Sequence, residues 1–212
     1  WNDSAVDGSY RFLRRVWNFA FKHHELLRSA TSQDLSQAAL GDTAKALRRE
    51  MHLVLKQVGY DYERMQYNTV VSGCMKLLNA LEDFKPDGSG PFKEGDTATL
   101  CEGVSILTRM LYPACPHITD EIWQQLGYAK SVGELLDAPW PVVDESALER
   151  DQIELMLQIN GKLRGSIWVA AAADKAQIET SALAHEAVVK QAAGAAPKKV
   201  IVVPGRLVNV VL

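Results

Sequence analysis

Near Asp151 the spacing of apolar residues changes from three and four to two, and a single secondary-structure layer cannot satisfy both periods. Upstream, Phe12, Val16 and Phe19 with Leu13, Trp17 and Ala20 form a wide helical face within 10–27. Leu47, Met51, Leu55, Val54 and Val58 repeat it over 43–65, and Val71, Met75, Leu78 and Leu81 continue it, with Asn68 expected as the N-cap. K-P-D-G-S-G-P-F at 85–92 interrupts the pattern, and a fourth helix is expected over 97–111. Pro113 and Pro116 precede a short helix ended by Gly127, Ser131 and Glu134 have capping-box spacing, and A-P-W-P at 138–141 reads as extended.

Downstream, Ile153, Leu155, Leu157 and Ile159 alternate up to Asn160-Gly161, which suits a type I′ turn. Leu163 to Val169 alternate again, placing Lys162, Arg164 and Ser166 on one face opposite Leu163 and Ile167. Asp174 with Gln177 caps a helix expected to run to about Gln191, and strands flank a type II turn at Pro204-Gly205. The expected fold is therefore multi-domain. An all-α helical bundle over 1–130 is followed by a Pro-rich connector over 131–151 and a small α+β domain of order β-β-α-β-β over 152–212.

Chemistry is limited by what the motifs omit. The chain holds no phosphate-loop, dinucleotide or nucleophile-elbow pattern, and no catalytic constellation is assigned. Adjacent His23 and His24 diverge by about 100° on a helix, and His117 and His185 are isolated, so no metal site is assigned. Cys74, Cys101 and Cys115 are widely spaced, which reads as free thiols in a reducing compartment, the cytoplasm. No apolar run reaches the roughly 18 residues that span a bilayer, so no membrane partner is expected.

Charge is more informative. The first third is basic, the middle acidic, and 152–212 carries seven Lys/Arg against four Asp/Glu. Arg14 and Arg15 lie beside Arg11 opposite the first apolar stripe, and Arg48, His52 and Lys56 share a face at four-residue spacing. Such rows can follow a phosphate backbone or simply be a solvated helix face. Around the two C-terminal turns stand Asn160, Lys162, Arg164, Lys198, Lys199, Arg206 and Asn209, with glycines that permit close approach. On pattern alone these equally suit the polar face of a half-buried sheet.

Several segments resemble a known family. E-R-M-Q-Y-N-T-V-V-S-G-C-M-K-L-L-N-A-L (63–81) and L-Y-P-A-C-P-H-I-T-D-E-I-W (111–123), followed by A-P-W-P, resemble the tRNA-binding bundle of class I aminoacyl-tRNA synthetases for leucine, isoleucine and valine. Q-I-N-G-K-L-R-G and V-I-V-V-P-G-R-L-V-N-V-V look like the C-terminal domain of the bacterial leucyl enzymes, and W-N-D-S-A-V-D-G-S-Y-R-F-L-R-R-V-W like the start of their bundle.

The resemblance implies a fragment, opening at Trp1, with an anticodon-binding-domain-like bundle. It implies tRNA(Leu) and the remaining catalytic and editing domains as partners, and a monomer. It places the C-terminal domain at the tRNA corner, with Asn160, Lys162, Arg164, Gly205, Arg206 and Asn209 as its candidates and Arg14, Arg15, Arg48, His52 and Lys56 in the bundle. No cofactor is expected here, whereas ATP and Mg are implied for the parent. Its H-I-G-H-like and K-M-S-K-S-like signatures are not in these residues. The alternatives are the isoleucyl or valyl enzyme, or a protein-interaction scaffold docking through its acidic middle.

Overall fold

The computed structural model describes residues 3–31, 37–88, 90–149, 152–192 and 197–212. The chain divides into two compact units, 1–148 and 149–212. In the first, α1 (Asp3–Lys22), α2 (His24–Ala30), α3 (Asp42–Glu63), α4 (Tyr67–Asp83), α5 (Glu94–Leu111) and α6 (Pro116–Gln125) carry the core. The helices α7 (Tyr128–Val132) and α8 (Glu145–Leu148) are short additions.

Helix α5 is buried nearly all round and packs against α2, α3, α4 and α6. A Cβ on its Gly103 would fall 2.6 Å from Leu81 Cδ2 and from Met51 Sδ, so the glycine lets three helices meet closely. The hydroxyls of Thr99 and Thr108, buried in this helix, donate to the carbonyls of Gly95 (2.8 Å) and Val104 (2.9 Å), which removes the cost of burying them.

Four helix ends depart from the sequence expectation. The helix expected over 10–27 breaks at His23, which leaves helical geometry (φ −105°, ψ 15°) while its ring packs on Phe19 and Phe92 at centroid distances of 4.8 and 5.9 Å. Helix α3 closes with a Schellman arrangement: Gln66 N–H donates to Asp61 O (2.8 Å) and Met65 N–H to Tyr62 O (3.0 Å). Met65, where the sequence places the helix end, takes the left-handed position (φ 55°) usually given to glycine. The chain therefore re-enters helix at Tyr67, and Asn68 sits inside the first turn of α4 instead of capping it. Helix α5 starts at Glu94, where the Asp96 carboxylate accepts from Lys93 N–H (2.9 Å). The Ser131/Glu134 box does not form, because Ser131 ends α7 and donates to Tyr128 O.

The stretch from 131 to 148, expected as a connector, is packed on the helical unit. Leu135 is buried, Trp140 meets Tyr62 edge-on at 5.2 Å, Arg109 donates to Pro139 O (3.0 Å), and α8 lies along α3.

The second unit is a four-stranded sheet, β1 (Gln152–Ile159), β2 (Lys162–Ala170), β3 (Lys199–Val203) and β4 (Leu207–Val211), in the order β2-β1-β4-β3. Only the β1–β4 pair is parallel. Asn160 and Gly161 both have positive φ (51° and 77°), as a type I′ turn requires, and Gly205 (66°) supplies the one needed between β3 and β4. The Asp174/Gln177 capping box forms. The helix beyond it divides at His185, whose extended ψ of 135° separates α9 (Lys175–Ala184) from α10 (Glu186–Ala192), giving β-β-α-α-β-β. One sheet face is covered: Leu155, Leu157, Ile159, Ile167, Val169, Val208 and Val210 bury against Ile178, Ala182 and Val188.

Candidate nucleic-acid interface

In the helical unit most of the expected phosphate-tracking cations are already engaged. Arg15 pairs with Glu82 and donates to Asn79 Oδ1 (2.6 Å), tying α1 to α4. Arg48 grips Glu102 through Nε (2.6 Å) and Nη2 (3.1 Å) and also reaches Asp144 (2.8 Å). His52 is 2% exposed, with Nε2 3.0 Å from Glu102 Oε1 and Nδ1 accepting from Asp144 N–H (3.1 Å). Those contacts fit the tautomer protonated on Nε2. Lys56 pairs with Glu145 at 3.0 Å. The face formed by Arg48, His52 and Lys56 is thus the seat on which residues 144–148 dock, and the acidic middle of the sequence supplies its counter-charges. Among the expected bundle cations, Arg14 alone stays exposed with no partner among the described residues.

The same cluster is acid-sensitive. Burial pushes Glu102 up, but hydrogen bonds from His52 and Arg48 outweigh it and leave the carboxyl below its ordinary value. Hydrogen bonds from Ser146 first, and Arg48 second, hold Asp144 well below the usual carboxylate range. Carboxyls lowered by folding stabilise fully above their unfolded values, about pH 4, and lose that contribution as pH falls through the folded ones. Urea midpoints should therefore fall below pH 4 as these two carboxyls lose that contribution. Glu102→Gln with Asp144→Asn should show a smaller acid-side fall than the unaltered chain.

The thiols offer no reactive centre. Burial pushes Cys74 up to about 12 and Cys101 to about 11 and raises Cys115, so all three stay protonated near neutrality.

In the second unit the two turns lie at opposite ends of the sheet, because β4 starts at the Pro204-Gly205 turn and runs parallel to β1, which ends at Asn160-Gly161. Lys162, Lys198 and Lys199 gather at one end. Arg206 stands at the other, about 13 Å away along the strands at 3.3 Å per residue. Asn160 and Asn209 are bracing residues: Asn160 Oδ1 accepts from Leu212 N–H (3.0 Å) and Asn209 Oδ1 from Gly161 N–H (3.0 Å). Lys198 donates to Leu212 O (3.2 Å).

A β-bulge overturns the expected faces of β2. Leu157 lies opposite Gly165 and Gln158 opposite Leu163, so Arg164 is the extra, unpaired residue. Lys162 then falls opposite Ile159, whereas Leu163 and Ser166 share the uncovered face with Gln158 and Met156. Gly165 (φ 148°) allows the bulge, and a Cβ there would lie 3.6 Å from the His185 ring.

The charge of this unit is sided. On the helices Lys175 pairs with Glu179 and Lys190 with Glu186, each at 3.7 Å. Lys162, Arg164, Lys198, Lys199 and Arg206, on the strands and their turns, are exposed and have no carboxylate partner among the described residues; the sheet itself carries one carboxylate, Glu154. Trp168, 62% exposed on the uncovered face, was missed from sequence, although its alternation with Ile167 and Val169 marked it.

Exposed cations without carboxylate partners among the described residues give the second unit a surface that can attract a polyanion. Residues 44–180 match the family model described as the anticodon-binding domain of tRNA ligase, and the chain belongs to that family. The match runs from α3 into α9 and so takes in parts of both units. Over all 212 residues the chain is 64% identical to a leucine–tRNA ligase of Variovorax paradoxus and 63% identical to one of Leptothrix cholodnii, covering 23% of each. It therefore spans about a quarter of the length of the curated relatives it matches. A LeuRS of Agrobacterium radiobacter, solved as a ternary complex with tRNA and LeuAMS, matches with a TM-score of 0.71 and 25% identity, over 100% of this chain and 26% of that one. Among the described residues no helix is long and apolar enough to cross a membrane.

Proposed function

We propose that this chain is the tRNA-binding portion of a leucine–tRNA ligase and positions tRNA(Leu) for ATP-dependent leucylation by a catalytic portion outside these residues. What supports the reading is the likeness to leucine–tRNA ligases over every residue of the chain. Lys162, Arg164, Lys199 and Arg206 of the second unit, exposed and without a partner among the described residues, supply the chemistry: they attract the RNA backbone and fix its position. The parent works in the cytoplasm as a monomer, with editing and catalytic domains beside this region. ATP and Mg act in that catalytic portion, and no residue here is assigned to hold them. By themselves the 212 residues bind tRNA without activating leucine.

Titrating the chain with a tRNA(Leu) transcript over a salt series tests this. Binding should weaken linearly in log–log form as salt rises, while leucine-dependent ATP–pyrophosphate exchange stays at background. Absence of binding at low salt, or a flat salt dependence, overturns the reading.

A further inference from the structure

The helices α9 and α10 cover one face of the second unit's sheet, and nothing among the described residues of the unit covers the other. Cross-strand partners share a face, so the uncovered side can be read from the register. Trp168 lies opposite Glu154. Next comes the row of Ser166, Met156, Leu207 and Val203, then that of Leu163, Gln158, Asn209 and Ile201. This is not the polar surface expected of a half-buried sheet. Trp168 is 62% exposed, Leu163 60% and Met156 46%, while Ile201 and Val203 are exposed as well. The bulge at Arg164 contributes by moving Leu163 onto this face.

An open apolar face with an aromatic side chain can take a protein or the flat faces of bases. Charge decides between them. Lys162, Arg164, Lys198, Lys199 and Arg206 stand at both ends and along one edge of the sheet, unmatched by carboxylate side chains, while on the α9–α10 side Glu179 and Glu186 pair with lysines of their own helices and Asp174 caps α9. A protein partner would have to bring a ring of acid around an apolar centre. RNA brings both parts together: phosphates on the outside, and unpaired or stack-terminating bases whose π-faces tolerate any sequence. We infer that the uncovered sheet face is a platform for nucleobases, with Trp168 as its stacking residue and the surrounding cations holding the flanking phosphates.

This inference rests on the tRNA-binding reading, and the two fail differently. The test compares the unaltered chain with Trp168→Ala and Trp168→Phe for binding to tRNA(Leu), each over a salt series. Trp168 is exposed, so both variants should keep their circular dichroism and melting temperature. Trp168→Ala should weaken binding by about 5- to 100-fold, the range for removing one base–aromatic stack. Trp168→Phe should recover most of that loss, and the salt slope should be unchanged in both, because stacking releases no counterions. Salt-dependent binding by the unaltered chain, with Trp168→Ala within twofold of it, overturns the platform and leaves the tRNA reading standing. No binding by the unaltered chain overturns both. A dimer in RNA-free sedimentation that Trp168→Ala abolishes makes the face a contact between copies, and likewise overturns the platform.

Discussion

A chain with Lys162, Arg164, Lys199 and Arg206 all changed to alanine binds tRNA(Leu) about 10²–10³-fold more weakly near 0.1 M salt, since each lost phosphate contact removes up to about 0.9 from the log–log salt slope. The slope should flatten by up to about 4 for the same reason. Folding should be almost untouched, because all four side chains are exposed and none has a carboxylate partner among the described residues. Thermal unfolding separates this outcome from a structural one: a melting temperature within a few degrees of the unaltered chain, with weak binding, assigns the residues to the interface. Asn209→Ala makes the contrast, because the carbonyl that accepts from Gly161 N–H would be gone and the turn loosened. Arg48→Ala or Lys56→Ala should leave the salt slope as it is, since their charges face Glu102, Asp144 and Glu145.

Trp123→Ala should cost the helical unit about 3–5 kcal/mol, the range for emptying a large buried aromatic site. The ring is fully buried, stacks on Tyr128 at 4.7 Å, and donates Nε1–H to Gly133 O at 2.9 Å. That bond holds the end of α7 against α6 and starts the 131–148 segment on its path across the bundle. Trp123→Phe keeps most of the packing and loses the hydrogen bond to the exposed Gly133, which costs about 0.5–1.5 kcal/mol. Urea titrations should rank the unaltered chain above Trp123→Phe and Trp123→Ala lowest. A Trp123→Ala midpoint equal to that of the unaltered chain would show that Trp123 does not anchor this corner.

The helical stripes and strand alternation were legible because both record burial on one face of a regular element. Leu47, Met51 and Leu55 of α3 are buried, as are Leu155, Leu157 and Ile159 of β1, on the periods the sequence shows. Turns with a chemical signature were legible too: Asn160-Gly161, Pro204-Gly205 and the Asp174/Gln177 cap form as written. Ends without one were not. His23 breaks the helix expected over 10–27, where its ring packs on Phe19 and Phe92, and that break leaves no local mark.

Candidate cations were legible as residues but not in their roles. Arg48, His52 and Lys56 make the same row whether they face phosphate or Asp144 and Glu145, which lie about ninety positions later in the chain. In the second unit the bulge at Arg164 shifted which side chains share a face, and the parallel β1–β4 pairing sent the two turns to opposite ends. The sequence by itself determined where helices give way to strands, which turns close the hairpins, and which family the motifs resemble, because periodicity, turn chemistry and motif spacing are local. Only the tertiary structure decided which charges cancel and which remain exposed without a carboxylate, because that depends on carboxylates and strands brought together from distant parts of the chain.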